Sequence, residues 1–229
     1  MLQEGVIKFQ YDHCESGLDS RVLGDAVCAL VAWREIMAHT LLVGQNPKLY
    51  DGAGYGNVSI RTGAPSAGFG RRQFLITGTQ TSGNRCITLD DFCIIEEYDS
   101  RRNWVRSRGR IKPSSETMTH GTIYDLSASV RVVLHAHTPV IWRRREQLRL
   151  PTTDAGVAYG TPEMAAEVRR LYRSTSLAES RVFAMGGHED GIVAFGRSPA
   201  EAGQVLLGTL ARAYALQCKD QGIGLCRVS

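Results

Sequence analysis

His135 and His137 lie two positions apart in the run VRVVLHAH at 130–137, whose β-branched and apolar residues predict a buried strand. Alternate side chains of a strand share a face, so the two imidazoles point the same way and could chelate one divalent cation. Two hydrogen-bonded core histidines would produce the same pattern, because imidazole buries readily when its nitrogens find partners. A third ligand would decide between the two. His188 is the candidate: Gly186 and Gly187 precede it and Gly191 follows, and a glycine-rich turn lets the chain approach a metal closely. An ordinary turn histidine is the alternative.

Glu116 follows Ser114 and Ser115 in KPSSETMTH at 112–120, where a helix is expected to start. A carboxylate in a first helical turn gains from the helix dipole, which alone would explain it as a cap. Beside a metal it could instead coordinate the cation or move a proton next to a carbonyl. The two hydroxyls and free backbone N–H groups of the same helix start suit a phosphate or another anion. His120, four residues on, shares the Glu116 face and is a candidate extra ligand or supporting partner. Asn57 in GYGNVS at 54–59 and Gly78 in LITGT at 75–79 add an amide, hydroxyls and backbone donors for an anionic or polyol ligand.

Apolar residues from Val22 to Leu41 recur at helical spacing, which predicts a long helix from Asp19 or Ser20 to Val43 with Gly44 as its stop. NVSIR and QFLITGT predict two strands, and Phe92 to Tyr98 with Asn103 to Arg106 a further pair turning at 99–102. A helix is expected from Pro113 to about Leu126. Thr161-Pro162-Glu163 and Ser198-Pro199-Ala200-Glu201 open two more, the second as a full capping box. Between them RVFAMGG and GIVAFG predict strands separated by His188-Glu189-Asp190. This order predicts one α/β or α+β domain with helices covering a mixed sheet.

Of 229 residues, 43% are hydrophobic and 22% charged, the balance of a globular chain with a buried core. The net charge of +4 rests on 23 Arg and four Lys scattered along the chain, without the basic stripe expected of a nucleic-acid binder. The arginines near 101–110 read as an exposed turn, and Arg143, Arg144 and Arg145 as a solvated helix face close enough to extend an anion site. The N-terminal residues lack the pattern of a secretory signal, and no stretch approaches a membrane span. Six cysteines without a CxxC pair fit reduced thiols in a cytoplasm.

GNVSIR at 56–61, FLITGT at 74–79, KPSSETMTH at 112–120, HAH at 135–137 and GGHEDGI at 186–192 together resemble the class II aldolase/adducin family, in its order and spacing. The resemblance implies an α/β fold over 1–229: a single three-layer αβα domain with a mainly antiparallel central sheet. It also implies a homotetramer with active sites between subunits. By the same resemblance His135, His137 and His188 look like the metal ligands and Glu116 occupies the position of the catalytic carboxylate. Asn57, Gly78, Ser114 and Ser115 match positions that cradle a substrate phosphate. The run Thr77 to Gly83 departs from the family's Pro-(Thr/Ser)-Gly turn, which alters the anion loop. The connection from Thr152 to Tyr159 is shorter than in the sugar-phosphate aldolases, leaving Tyr159, Asp154 and Tyr214 as candidate proton donors.

The implied activity is that of a lyase: aldol-type C–C cleavage or formation on a small, anionic, sugar-like hydroxy-carbonyl compound through an enediolate. Zinc is the expected ion, and iron(II), manganese or cobalt would suit the same ligands. Epimerisation, dehydration, decarboxylation and iron-dependent oxygenation are alternatives on the same site. A non-catalytic interaction module, as in the adducin branch, is the other alternative, although there the metal ligands are missing and here all are present.

Overall fold

Runs that are apolar at nearly every position, such as FLIT, FCII and GIVAFG, suit strands covered on both faces. The structure, a computed structural model describing residues 5–20, 24–64 and 66–221, uses them in that way. In chain order the elements are β1 (Gln10–Glu15), α1 (Asp25–His39), β2 (Gly44–Gln45), β3 (Gly54–Tyr55), β4 (Asn57–Arg61), β5 (Phe74–Thr77), β6 (Phe92–Asp99) and β7 (Trp104–Gly109). They continue with α2 (Thr117–Leu126), β8 (Val132–His137), α3 (Pro139–Trp142), α4 (Pro162–Ser174), α5 (Leu177–Ser180), β9 (Val182–Ala184), β10 (Gly191–Gly196) and α6 (Pro199–Asp220). Eight strands form one sheet in the order β1-β7-β6-β5-β4-β8-β10-β9, and β2 pairs with β3 separately. Only β1 and β7 run parallel; the other pairs of the large sheet are antiparallel.

Strand alternation divides the interior into two cores. Val132, Leu134 and Ala136 of β8 pack with Leu30 and Met37 of α1, Ile141 of α3 and Leu206 of α6. Val133 packs on the opposite side with Met118 and Ile123 of α2 and Met164 and Leu171 of α4. The sheet is therefore a middle layer between α1, α3 and α6 on one face and α2 and α4 on the other. His135 and His137 have the parity of Val133 and belong to the α2/α4 face.

Several boundaries differ from the sequence expectation. The first helix ends at His39 with Thr40 as its C-cap, because the Thr40 hydroxyl turns back to the Ile36 carbonyl at 2.8 Å and Leu41 takes a φ of 58°. Leu42 and Val43, expected inside that helix, are instead buried in the core; Val22 and Leu23 lie outside the described residues. The second helix begins at Thr117, so Glu116 is its N-cap residue and makes no side-chain cap bond. The capping box at α6 is half formed: Ser198 Oγ accepts from Glu201 N at 3.2 Å, whereas the Glu201 carboxylate takes the N–H of Arg197, one residue earlier. Strand β1 had no apolar signal, since its residues QYDHCE sit at the sheet edge, mostly half-buried or exposed. Among the described residues no helix is long and apolar enough to cross a membrane.

Candidate functional site

Three strands converge on the histidines. In the antiparallel register Asn57 of β4 stands opposite His135, and Gly191 of β10 opposite His137. The hairpin between β9 and β10 carries His188, so closing that hairpin delivers its ring to the end of β8. The hairpin is fixed by bonds from Met185 N to Gly191 O at 2.9 Å and from Gly191 N to His188 O at 3.0 Å. Gly186 and Gly187 admit the segment that crosses above: a Cβ on them would lie 2.2 Å from the carbonyl oxygens of Thr153 and Val157. Gly56 has the same kind of role at β4. Its φ is +75°, and a Cβ there would meet the His135 carbonyl oxygen at 2.9 Å.

The ligand atoms of His135, His137 and His188 all lie within 4.8 Å of one another and all three side chains are buried. His135 Nε2 and His137 Nε2 are 3.1 Å apart. Burial lowers the pKa of His137, and the charges of His188 and His135 lower it further; a neutral imidazole is the form that offers a lone pair to a cation. Three imidazoles aimed at one small volume fit a divalent ion of the zinc class. Tyr50 places its ring edge against His137, with centroids 4.8 Å apart, and its hydroxyl donates to Asp190 Oδ2 at 2.8 Å.

Glu116 lies beside this triad. Its Oε1 is 3.3 Å from His188 Nδ1, and the side chain is 1% exposed, so bulk water does not compete for it. Burial would raise its pKa, but the adjacent His188 and the nearby His135, when protonated, outweigh burial and hold it down to about 2. His120, expected as an extra ligand or supporting partner, is outside the triad. Its Nδ1 is 2.7 Å from Ser59 Oγ, which is 2.7 Å from the Tyr124 hydroxyl. Burial and the nearby His135 charge lower its pKa to about 3 against the pull of Glu116.

Asn57, Gly78, Ser114 and Ser115, selected separately from the sequence, line one small open cavity together with Gly5, Gly54, Gly56, Thr79, Gln80 and Ser82. Among the described residues its wall offers amides, hydroxyls and backbone groups without a cationic side chain. The loop after β5 is held from behind by Arg34 of α1, which is 2% exposed. Its guanidinium donates to the carbonyls of Ser82 at 2.9 Å and Asn84 at 2.8 Å. Ser82 Oγ in turn donates to Gly56 O at 2.7 Å. Sequence reasoning missed Arg34, although a lone charge between Leu30 and Met37 on the apolar stripe of a helix was a signal. It also missed Tyr50 and Asp190, whose pairing depends on distant parts of the chain.

The three candidate proton donors separate. Tyr159 is buried and stacks on His188 with centroids 4.5 Å apart. Asp154 is exposed and accepts from Gly156 N at 2.7 Å within its own turn. Tyr214 is 48% exposed on α6, on the face of the sheet opposite α2.

The family model of the Class II Aldolase and Adducin N-terminal domain matches residues 36–216. Among solved structures, an L-fuculose-1-phosphate aldolase from Thermus thermophilus shares 20% identity at a TM-score of 0.60, over 91% of this chain and 100% of that one. A sugar-phosphate aldolase from Thermotoga maritima shares 15% at 0.59, over 83% and 93%. An aldolase II superfamily protein from Pseudomonas syringae shares 18% at 0.58, over 93% and 84%. No curated protein matches. At these identities the solved structures show a common fold. With the family match spanning most of its length, this chain belongs to the class II aldolase and adducin N-terminal domain family.

Proposed function

We propose that this protein is a zinc-dependent lyase that cleaves or forms a C–C bond in a small hydroxy-carbonyl compound bearing a phosphate. The position of Glu116 carries the proposal. Its carboxylate is 3.3 Å from His188, while Ser114 and Ser115 just before it line the cavity. One proton-carrying group thus stands between a site for an electrophile and a site for an anion.

Bound by His135, His137 and His188, a divalent cation would supply Lewis acidity toward the carbonyl and adjacent hydroxyl oxygens of the substrate. The three neutral imidazoles would leave that cation its full charge. Glu116 removes the proton α to the carbonyl in condensation and returns one to the same carbon in cleavage. Asn57, Ser114 and Ser115 hold the phosphate through neutral donors, with the N-terminus of α2 adding its partial positive charge; Gly78, whose N–H is taken by the Asp91 carbonyl at 2.8 Å, shapes the wall beside them. The proposal extends to a single domain over 1–229 and to a cytoplasmic homotetramer, in which Tyr214 and Asp154 are candidate donors to a neighbouring copy.

The test is incubation of metal-loaded protein with a panel of ketose 1-phosphates and the free ketoses. Aldehyde release that requires the phosphate and Glu116 supports the proposal. Epimer formation without aldehyde, or oxygen consumption with iron(II), would replace the lyase assignment by another reaction on the same site.

A further inference from the structure

Tyr159 was a candidate proton donor, but its geometry suits a different task. Its ring stacks on His188 at a centroid distance of 4.5 Å and an interplanar angle of 27°. Lys8 Nζ sits over the same ring, 3.5 Å from its centroid; a face already stacked by an imidazole at 4.5 Å has no room for it, so the two take opposite faces. Lys8 Nζ also donates to the Tyr159 carbonyl at 3.3 Å. The Tyr159 hydroxyl accepts from Val6 N at 3.3 Å. Asn103 Nδ2 closes the arrangement by donating to Lys8 O at 3.0 Å and Gly160 O at 3.4 Å. The segment that supplies Lys8 and Val6 also supplies Gly5 to the wall of the cavity.

We infer that Tyr159 and Lys8 are positioning residues for His188: the ammonium, the phenol ring and the imidazole form a three-layer stack that fixes the plane of the third metal ligand. The inference rests on the three-histidine metal site proposed above. An imidazole held between the hairpin backbone and a tyrosine ring has little rotational freedom left to lose when it takes a cation, which strengthens binding. Lys8 acts through the ring, as a cation over its electron-rich face. The stack also joins residues 5–8 to the metal site, so the N-terminal segment is a working part of that site.

Cobalt(II) binding, followed by its visible absorption in competition with a chelator, tests the inference on wild type, Tyr159→Phe, Tyr159→Leu, Lys8→Met and His188→Ala. The thermal midpoint of each metal-free protein is measured alongside. Tyr159→Leu is expected to weaken cobalt binding by roughly ten- to hundredfold and to alter the cobalt spectrum, the range typical of partners that orient a metal ligand. Tyr159→Phe keeps the ring and should restore wild-type affinity and spectrum, with Lys8→Met falling between. Wild-type affinity in Tyr159→Leu, or a loss in Tyr159→Phe as large as in Tyr159→Leu, would overturn the inference. Should Tyr159→Leu fail to fold, Lys8→Met decides: weaker cobalt binding supports the stack and unchanged binding refutes it. Undiminished cobalt binding in His188→Ala would mark the failure of the three-histidine site itself, a different result from the failure of its brace.

Discussion

Glu116 Oε1 stands 3.3 Å from His188 Nδ1 with both side chains buried, although one residue opens a helix and the other rides a hairpin between two strands. The contact places a carboxylate beside the three-histidine cluster and lowers its pKa. Glu116→Gln preserves shape and removes the base. The variant should bind metal as wild type does and lose about 10²- to 10⁴-fold in turnover, the usual worth of a positioned acid–base group. Steady-state rates with metal content measured on the same samples check this, and full activity in the variant would remove the assignment.

Ser115 belongs to the cavity wall and not to the triad. Ser115→Ala should weaken inhibition by inorganic phosphate by roughly ten- to hundredfold, the loss of one hydrogen bond to a charged group. Metal affinity should be unchanged. Equal effects on phosphorylated and unphosphorylated substrates would argue against a phosphate cradle.

Gly56 has a φ of +75° and no room for a side chain, since a Cβ would lie 2.9 Å from His135 O and 3.0 Å from Leu42 O. Gly56→Ala should lower stability by about 1–3 kcal/mol, read from urea unfolding, the cost of a strained backbone position. Because the crowded atom is the carbonyl of His135, metal affinity should fall with it. A variant as stable as wild type would show that the strand can shift freely at this point.

Glu201 ties α6 to the strands before it. Its side-chain hydrogen bond with Arg197, the Arg197 N–H and the nearby Arg181 hold its pKa at about 2 against partial burial, below the ordinary 4.5. A depressed folded-state value stabilises the fold fully above the unfolded pKa, and that stabilisation is lost as the pH falls through the folded pKa. Glu201→Gln should therefore be less stable than wild type at pH 7, with the difference closing between about pH 4.5 and 2. Urea midpoints across that range measure it; a gap independent of pH would assign the loss to packing.

Local chemistry made much of this site legible. The two-residue spacing of His135 and His137 determined a shared face, β-branched runs marked the buried strands, and Thr161 caps α4 as expected, accepting from Met164 N at 3.3 Å. Relations that depend on register across the sheet were not legible. Nothing local to Asn57 says that it pairs with His135, and nothing near Lys8 says that its ammonium covers Tyr159. Strand β1 escaped notice for a related reason: an edge strand is stabilised by its β7 partner and has no apolar period of its own. The end of α1 was misplaced because Leu41, Leu42 and Val43 continue the apolar pattern while the backbone has already left the helix.

The central claim is that His135, His137 and His188 hold one divalent cation beside Glu116. The most direct measurement is metal content of untagged protein, in equivalents per chain, for wild type and His188→Ala after reconstitution with zinc, cobalt, manganese and iron(II). Close to one equivalent in wild type, lost in the variant and kept in Glu116→Gln, is the expected result. Wild-type protein that takes up none of these ions, or a His188→Ala variant that binds them as well as wild type, would contradict the metal centre and the chemistry built on it.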